Sequence, residues 1–138
     1  MGYNVAPMDE STPTLDEFVA AIDAAFAFLV RDHGFERLSR PMEHNRYSVR
    51  FKKGELEVDV YGESYGGSAD CQLVRGTDRL YLALLLPASA QTPRPEGQLA
   101  QVAAIAAELQ QYATDFLSGD ATRFDTWLSE WRKRFPKM

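Results

Sequence analysis

RYSVRFKKGELEVDVYGE, residues 46–63, alternates charged and apolar side chains on both sides of a Lys-Gly step. Side chains on a strand alternate faces, so a chain that folds back at Lys53-Gly54 sorts them into two sets. Phe51/Leu56, Val49/Val58 and Tyr47/Val60 meet on one face. Lys52/Glu55, Arg50/Glu57 and Ser48/Asp59 meet on the other. Two- and four-residue loops both keep this register, whereas a one-residue slip sets Phe51 against Glu55 and sends apolar groups to water. The stretch predicts a β-hairpin with an apolar inner face and an ionic ladder outside.

The N-terminal flank of this hairpin reads as helix. In TPTLDEF, Thr14 and Glu17 form a capping box behind Pro13. Leu15, Phe18, Val19, Ile22, Phe26, Leu29 and Val30 follow at helical spacing, and Gly34 offers a left-handed stop with Phe35 packing back on Val30. Residues 1–12 read as a loose arm ahead of one domain, 13–138. ERLSRP is a short strand that Pro41 ends or confines to an edge, and MEHN is the entry turn of the hairpin. Beyond the hairpin, ESYGGS is a loop, and ADCQLVR and RLYLALLLP read as strands joined by a turn at GTD. The second of these is apolar at nearly every position, which predicts a central or doubly covered strand.

PASAQTPRPEG, with three prolines, separates sheet from helices. A helix over about 98–118 carries Leu99, Val102, Ala106, Leu109, Ala113, Phe116 and Leu117 on one face and stops at Gly119. Asp120 caps a last helix striped by Phe124, Trp127, Leu128, Trp131 and Phe135. One helix, four or five antiparallel strands in a meander and two further helices define an α+β fold, its helices covering one sheet face.

The chain of 138 residues is 45% hydrophobic and 25% charged, with a net charge of −5. That is globular usage, and one domain of this size buries a core without staples. A single cysteine, Cys71, excludes an internal disulfide. The start MGYNVAPMDE lacks a secretory pattern, and the longest apolar run is too short to span a bilayer, so a cytoplasmic protein without a membrane role is expected. Residues 54–87 hold six acids against Arg75 and Arg79. That acidity disfavours nucleic acid and suits a basic protein partner.

Catalytic signatures are sparse. His33 lies at a helix end and His44 in a turn, and neither belongs to a metal-binding pair, so no metal or cofactor is expected. Cys71 lies beside Asp70, which opposes the thiolate a nucleophile needs. Glu55, Glu57 and Asp59 share a strand face at roughly 7 Å spacing, within the reach of paired glycosidase carboxylates. Their cross-strand partners Lys52 and Arg50 favour the charged form, whereas a general acid must keep its proton. YGESYGGS lacks the Lys-Ser/Thr of a phosphate loop, although Tyr61 and Tyr65 are residues that suit a binding surface. Trp127 and Trp131, one turn apart, fit core burial or a dimer contact, and RKRF reads as a helix-end cluster.

FLVRDHGF, RYSVRFKKGELEVDVYGE and LQQYATDFLSGDATRFDTWL together resemble a family of small bacterial α+β proteins. The layout is also similar to immunity proteins encoded beside polymorphic toxins. The resemblance implies a non-enzymatic protein that binds and blocks a cognate toxin, and it transfers no catalytic residue. On that reading Glu55, Glu57, Asp59 and Tyr61 meet a basic toxin surface while Arg46 and Arg50 set orientation. A chaperone for a secreted effector and an enzyme of unrecognised type are the alternatives.

Overall fold

A computed structural model describes residues 14–38, 42–43, 46–63, 68–91 and 93–134. The expected arm, the ESYGGS loop, His44, Tyr65 and Phe135 lie wholly or mainly outside these residues. The element order is α1 (Leu15–Ala25), α2 (Ala27–His33), β1 (Glu36–Leu38), β2 (Met42–Glu43), β3 (Arg46–Lys53), β4 (Leu56–Glu63), β5 (Ser68–Arg75) and β6 (Asp78–Tyr81). Two 3-10 turns (Leu82–Leu85 and Ala88–Ala90), α3 (Gln98–Tyr112), α4 (Thr114–Leu117) and α5 (Thr122–Arg134) complete it. The strands form one antiparallel sheet in the order β1-β3-β4-β5-β6, with β2 beside β1 on the outer side of β3. The fold is α+β, as the segregation of strands and helices implies.

The capping box forms: the Thr14 hydroxyl accepts from Glu17 N–H, and the Glu17 carboxylate accepts from Thr14 N–H. The expected N-terminal helix forms over its predicted span, with a break at Phe26 that divides it into α1 and α2. At Phe26 the backbone leaves the helical region (φ −105°, ψ 12°), and Leu29 N–H reaches Phe26 O three residues back. That tighter turn re-aims the following face. Phe28 becomes buried, while Val30, expected in the stripe, is 48% exposed. Gly34 stops the second piece at φ 76°, and the N–H groups of Gly34 and Phe35 both return to Leu29 O.

The central hairpin keeps its faces but not its register. Lys53 pairs with Leu56, Lys52 with Glu57, Phe51 with Val58, Arg50 with Asp59, Val49 with Val60 and Ser48 with Tyr61. The turn is therefore Gly54-Glu55, one residue later than the sequence suggested, with Gly54 at φ 60°. A two-residue change in pairing returns each side chain to its own face, which is why the alternation could not detect it. Gly76 N–H bonds to Glu55 O across the neighbouring turn and holds the two hairpin tips together.

Two further expectations change. Met42–Glu43 is not a turn but a short strand against Arg46 and Tyr47. The run after Leu80 is not a central strand: β6 is an edge strand of four residues, and Leu82–Leu85 coils into a 3-10 turn. Leu82, Leu85 and Leu86 are buried at helical rather than strand spacing. A continuous apolar run permits either period, and here packing against helices decides.

Phe18 and Ile22 of α1, Val102, Ile105 and Leu109 of α3, and Val49, Phe51, Val58, Val60 and Leu73 of the sheet form the core. Full burial of such side chains contributes about 1.5–3 kcal/mol each. The expected stripe of α3 is rotated slightly, with Leu99 41% exposed and Ile105 fully buried. Ala113 breaks the predicted long helix, and Gly119 (φ 101°) with the Asp120 carboxylate, which accepts from Thr122 N–H at 3.0 Å, leads into α5.

Candidate functional site

The middle of the hairpin's ionic face is interior, while Lys52 and Glu55 at its turn end are exposed and Arg50 is partly exposed. Ser48, Glu57, Asp59 and Tyr61 are 8%, 8%, 5% and 1% exposed. This corrects the expectation of an open charged ladder. Arg50 reaches diagonally to Glu57 (Nη1–Oε2 3.7 Å) rather than straight across to its strand partner Asp59. Arg79 on β6 reaches over β5, its Nη1 lying 3.4 Å from Asp59 Oδ2 and 2.9 Å from Gln72 Oε1. Taking such charges from water costs several kcal/mol per ion, so each guanidinium offsets a penalty that an exposed ladder would not carry. The satisfaction is incomplete: Arg50 Nε and Glu57 Oε2 are buried without a hydrogen bond.

The six sequence-predicted residues therefore separate. Glu57, Asp59 and Tyr61 are buried, Arg50 is half-exposed beside Glu57, and Glu55 sits in the turn, where it meets Arg75 at 3.2 Å. Arg46 begins β3 opposite Glu43, and its side chain lies outside the described residues. Five of the six lie on β3 and β4 and Glu55 lies in the turn between them, and the five with described side chains do not form one accessible surface.

Cys71 is fully buried, and burial, with the negative charges of Asp70 and Asp59, pushes its thiol well above the ordinary range. It stays a thiol at neutral pH, the wrong state for a nucleophile. Among the described residues no group of three or more His, Cys, Asp or Glu side chains is placed to hold a metal ion, and no helix is long and apolar enough to cross a membrane.

An accessible cleft of about 210 Å³ lies instead where α5 runs beside β6. Its walls are Tyr81, Leu84, Trp127 and Trp131, with Arg79 and Gln72 at the polar end. Leu80 and Leu128, both buried, form its floor. Local sequence explains each wall. Positions 127 and 131 are one helical turn apart, so their indoles stack at 5.5 Å between centroids and 19° between planes. Tyr81 is the last residue of β6, and its side chain shares a sheet face with Gln72 and Arg79. Leu84 projects from the 3-10 turn that follows. Tyr81 is 46% and Leu84 38% exposed, an unusual concentration of apolar surface for so small a region.

Ion pairs and hydrogen bonds connect the elements around the cleft. Arg132 pairs with Asp78 at 2.6 Å and Arg75 with Asp125 at 3.1 Å, fastening α5 to both strands of the last hairpin. Arg123 donates to Leu85 O at 2.8 Å and to the carbonyl of Tyr112, tying α5 to the 3-10 turn and to α3. Sequence reasoning missed this site because it placed residues 79–87 in a central or doubly covered strand. The signal present was the tryptophan pair at positions 127 and 131. No protein-family model, curated protein or solved structure matches the chain.

Proposed function

We propose that the protein is a non-enzymatic protein-binding module of the immunity type, which blocks a cognate toxin by occluding it. Its contact surface on this reading is the β6–α5 cleft and not the ionic sheet face. The observation that carries the proposal is the grouping of Trp127, Trp131, Tyr81 and Arg79 around one accessible cleft on a fastened frame. Trp, Tyr and Arg are the residue types in which binding energy concentrates at protein interfaces. The immunity assignment itself rests on the resemblance of the chain's layout.

Co-purification with the product of the adjacent gene tests the reading. Stable association, with protection of cells expressing that product, is the expected result. Absence of both removes it. A chaperone for a secreted effector would instead hold its client in an extended state and release it folded.

A further inference from the structure

Resting on that protein-binding reading, we infer that the β6–α5 cleft takes one bulky apolar side chain, aromatic by preference, from an acidic segment of the partner. The volume argues for a side chain rather than a free ligand. Small-molecule sites usually span about 300–1,000 Å³, and this cleft holds about 210 Å³. Its walls argue for a ring, because stacked indoles and a tyrosine offer faces and edges to which another aromatic group is matched.

The surrounding charge argues for acid. Arg79 commits Nη1 to Asp59 and Gln72, and its Nε and Nη2 donors make no hydrogen bond among the described residues. Among the described residues nothing takes up these donors, so they suit a carboxylate entering at the polar end, a charge-assisted bond of the strong kind. Arg132, Lys133 and Arg134 are exposed in the last turn of α5, immediately after Trp131; Arg132 is paired with Asp78, which leaves Lys133 and Arg134 against Glu130. In a chain of net charge −5 this corner is locally basic. Complementary potential therefore selects an acidic partner segment, the reverse of what the acids of residues 54–87 suggested.

The chain has two tryptophans and both line the cleft, so intrinsic emission reads occupancy directly. The full chain is titrated with three capped pentapeptides: Asp-Asp-Phe-Asp-Asp, Lys-Lys-Phe-Lys-Lys and Asp-Asp-Ala-Asp-Asp. The first is expected to shift the emission and to bind about fivefold or more tighter than either of the others. Tyr81→Ala, outside the Asp59–Arg79 pair, is expected to weaken it about tenfold with an unchanged circular dichroism melt. Equal affinity for the two Phe peptides, preference for the lysine peptide, or no emission change overturns the inference. Co-purification of Tyr81→Ala and Leu84→Glu with the adjacent gene product separates the two levels. Full retention of the partner by both variants overturns the cleft assignment and leaves the binding reading standing, whereas no association by the unaltered chain removes the reading itself.

Discussion

The Lys53 ammonium donates to the carbonyl of Leu117, sixty-four residues away in the chain, and also to that of His33 at 2.9 Å. His33 ends α2 and Leu117 ends α4, so a single cation sits at two helix C-termini, where unpaired carbonyls and the helix dipole favour positive charge. The same ammonium lies 4.9 Å from the centre of the Phe35 ring. Lys53 therefore stays in β3 opposite Leu56, with its side chain on the helix side of the sheet.

Replacing that cation while keeping its stem isolates the contribution. Lys53→Met is expected to lower unfolding free energy by about 1–3 kcal/mol in urea denaturation. A loss below about 0.5 kcal/mol, the range of ordinary surface changes, contradicts the two-carbonyl role.

Gly62 faces a second close approach. A Cβ built there would lie 2.4 Å from Gln98 Nε2 and 3.0 Å from Phe18 Cζ. Gln98 is 1% exposed and donates to Ser68 O at 2.8 Å, so it cannot swing away freely. Gly62→Ala is expected to destabilise by about 1–3 kcal/mol through overpacking. In a Gln98→Ala background the cost should shrink, and a double-mutant cycle measures the coupling. Additive losses would show that the crowding lies elsewhere.

Hydrogen bonds from Arg123 hold the Asp115 carboxyl below its ordinary value. A carboxyl depressed in the folded state adds stability above its unfolded value, near pH 4, and loses it as pH falls through the folded value. The group is a third exposed, so screening limits the contribution to about 1 kcal/mol or less. The difference in stability between the unaltered chain and Asp115→Asn is thus expected to be full near pH 6 and to diminish below about pH 4. A difference independent of pH across that range would assign the effect to shape rather than charge.

The features legible in the sequence are those decided within a few residues. Thr14 with Glu17, Gly34 and Asp120 act through their own neighbours, and they mark the expected helix ends. The misjudged features depend on distant partners. Lys53 looked like a turn residue because nothing near it shows that His33 and Leu117 wait on the helix side. Glu57 and Asp59 looked exposed because strand alternation separates faces and does not say which is covered. Leu82, Leu85 and Leu86 looked like strand because an unbroken apolar run hides its period. The cleft combines β6, the 3-10 turn and α5, and only the Trp127–Trp131 spacing was visible beforehand.

That the acids of the sheet hold the fold together, leaving recognition to the β6–α5 corner, is tested most directly by urea unfolding of Asp59→Asn against Glu55→Gln. Asp59 is 7% exposed at its side chain beside Arg79, whereas Glu55 is 60% exposed in the turn. Breaking a buried pair is expected to cost Asp59→Asn about 2–4 kcal/mol, and Glu55→Gln about 0.5 kcal/mol or less. Equal and small losses at the two positions would mean that Asp59 faces water, and would return the charged face to the list of surfaces a partner can read.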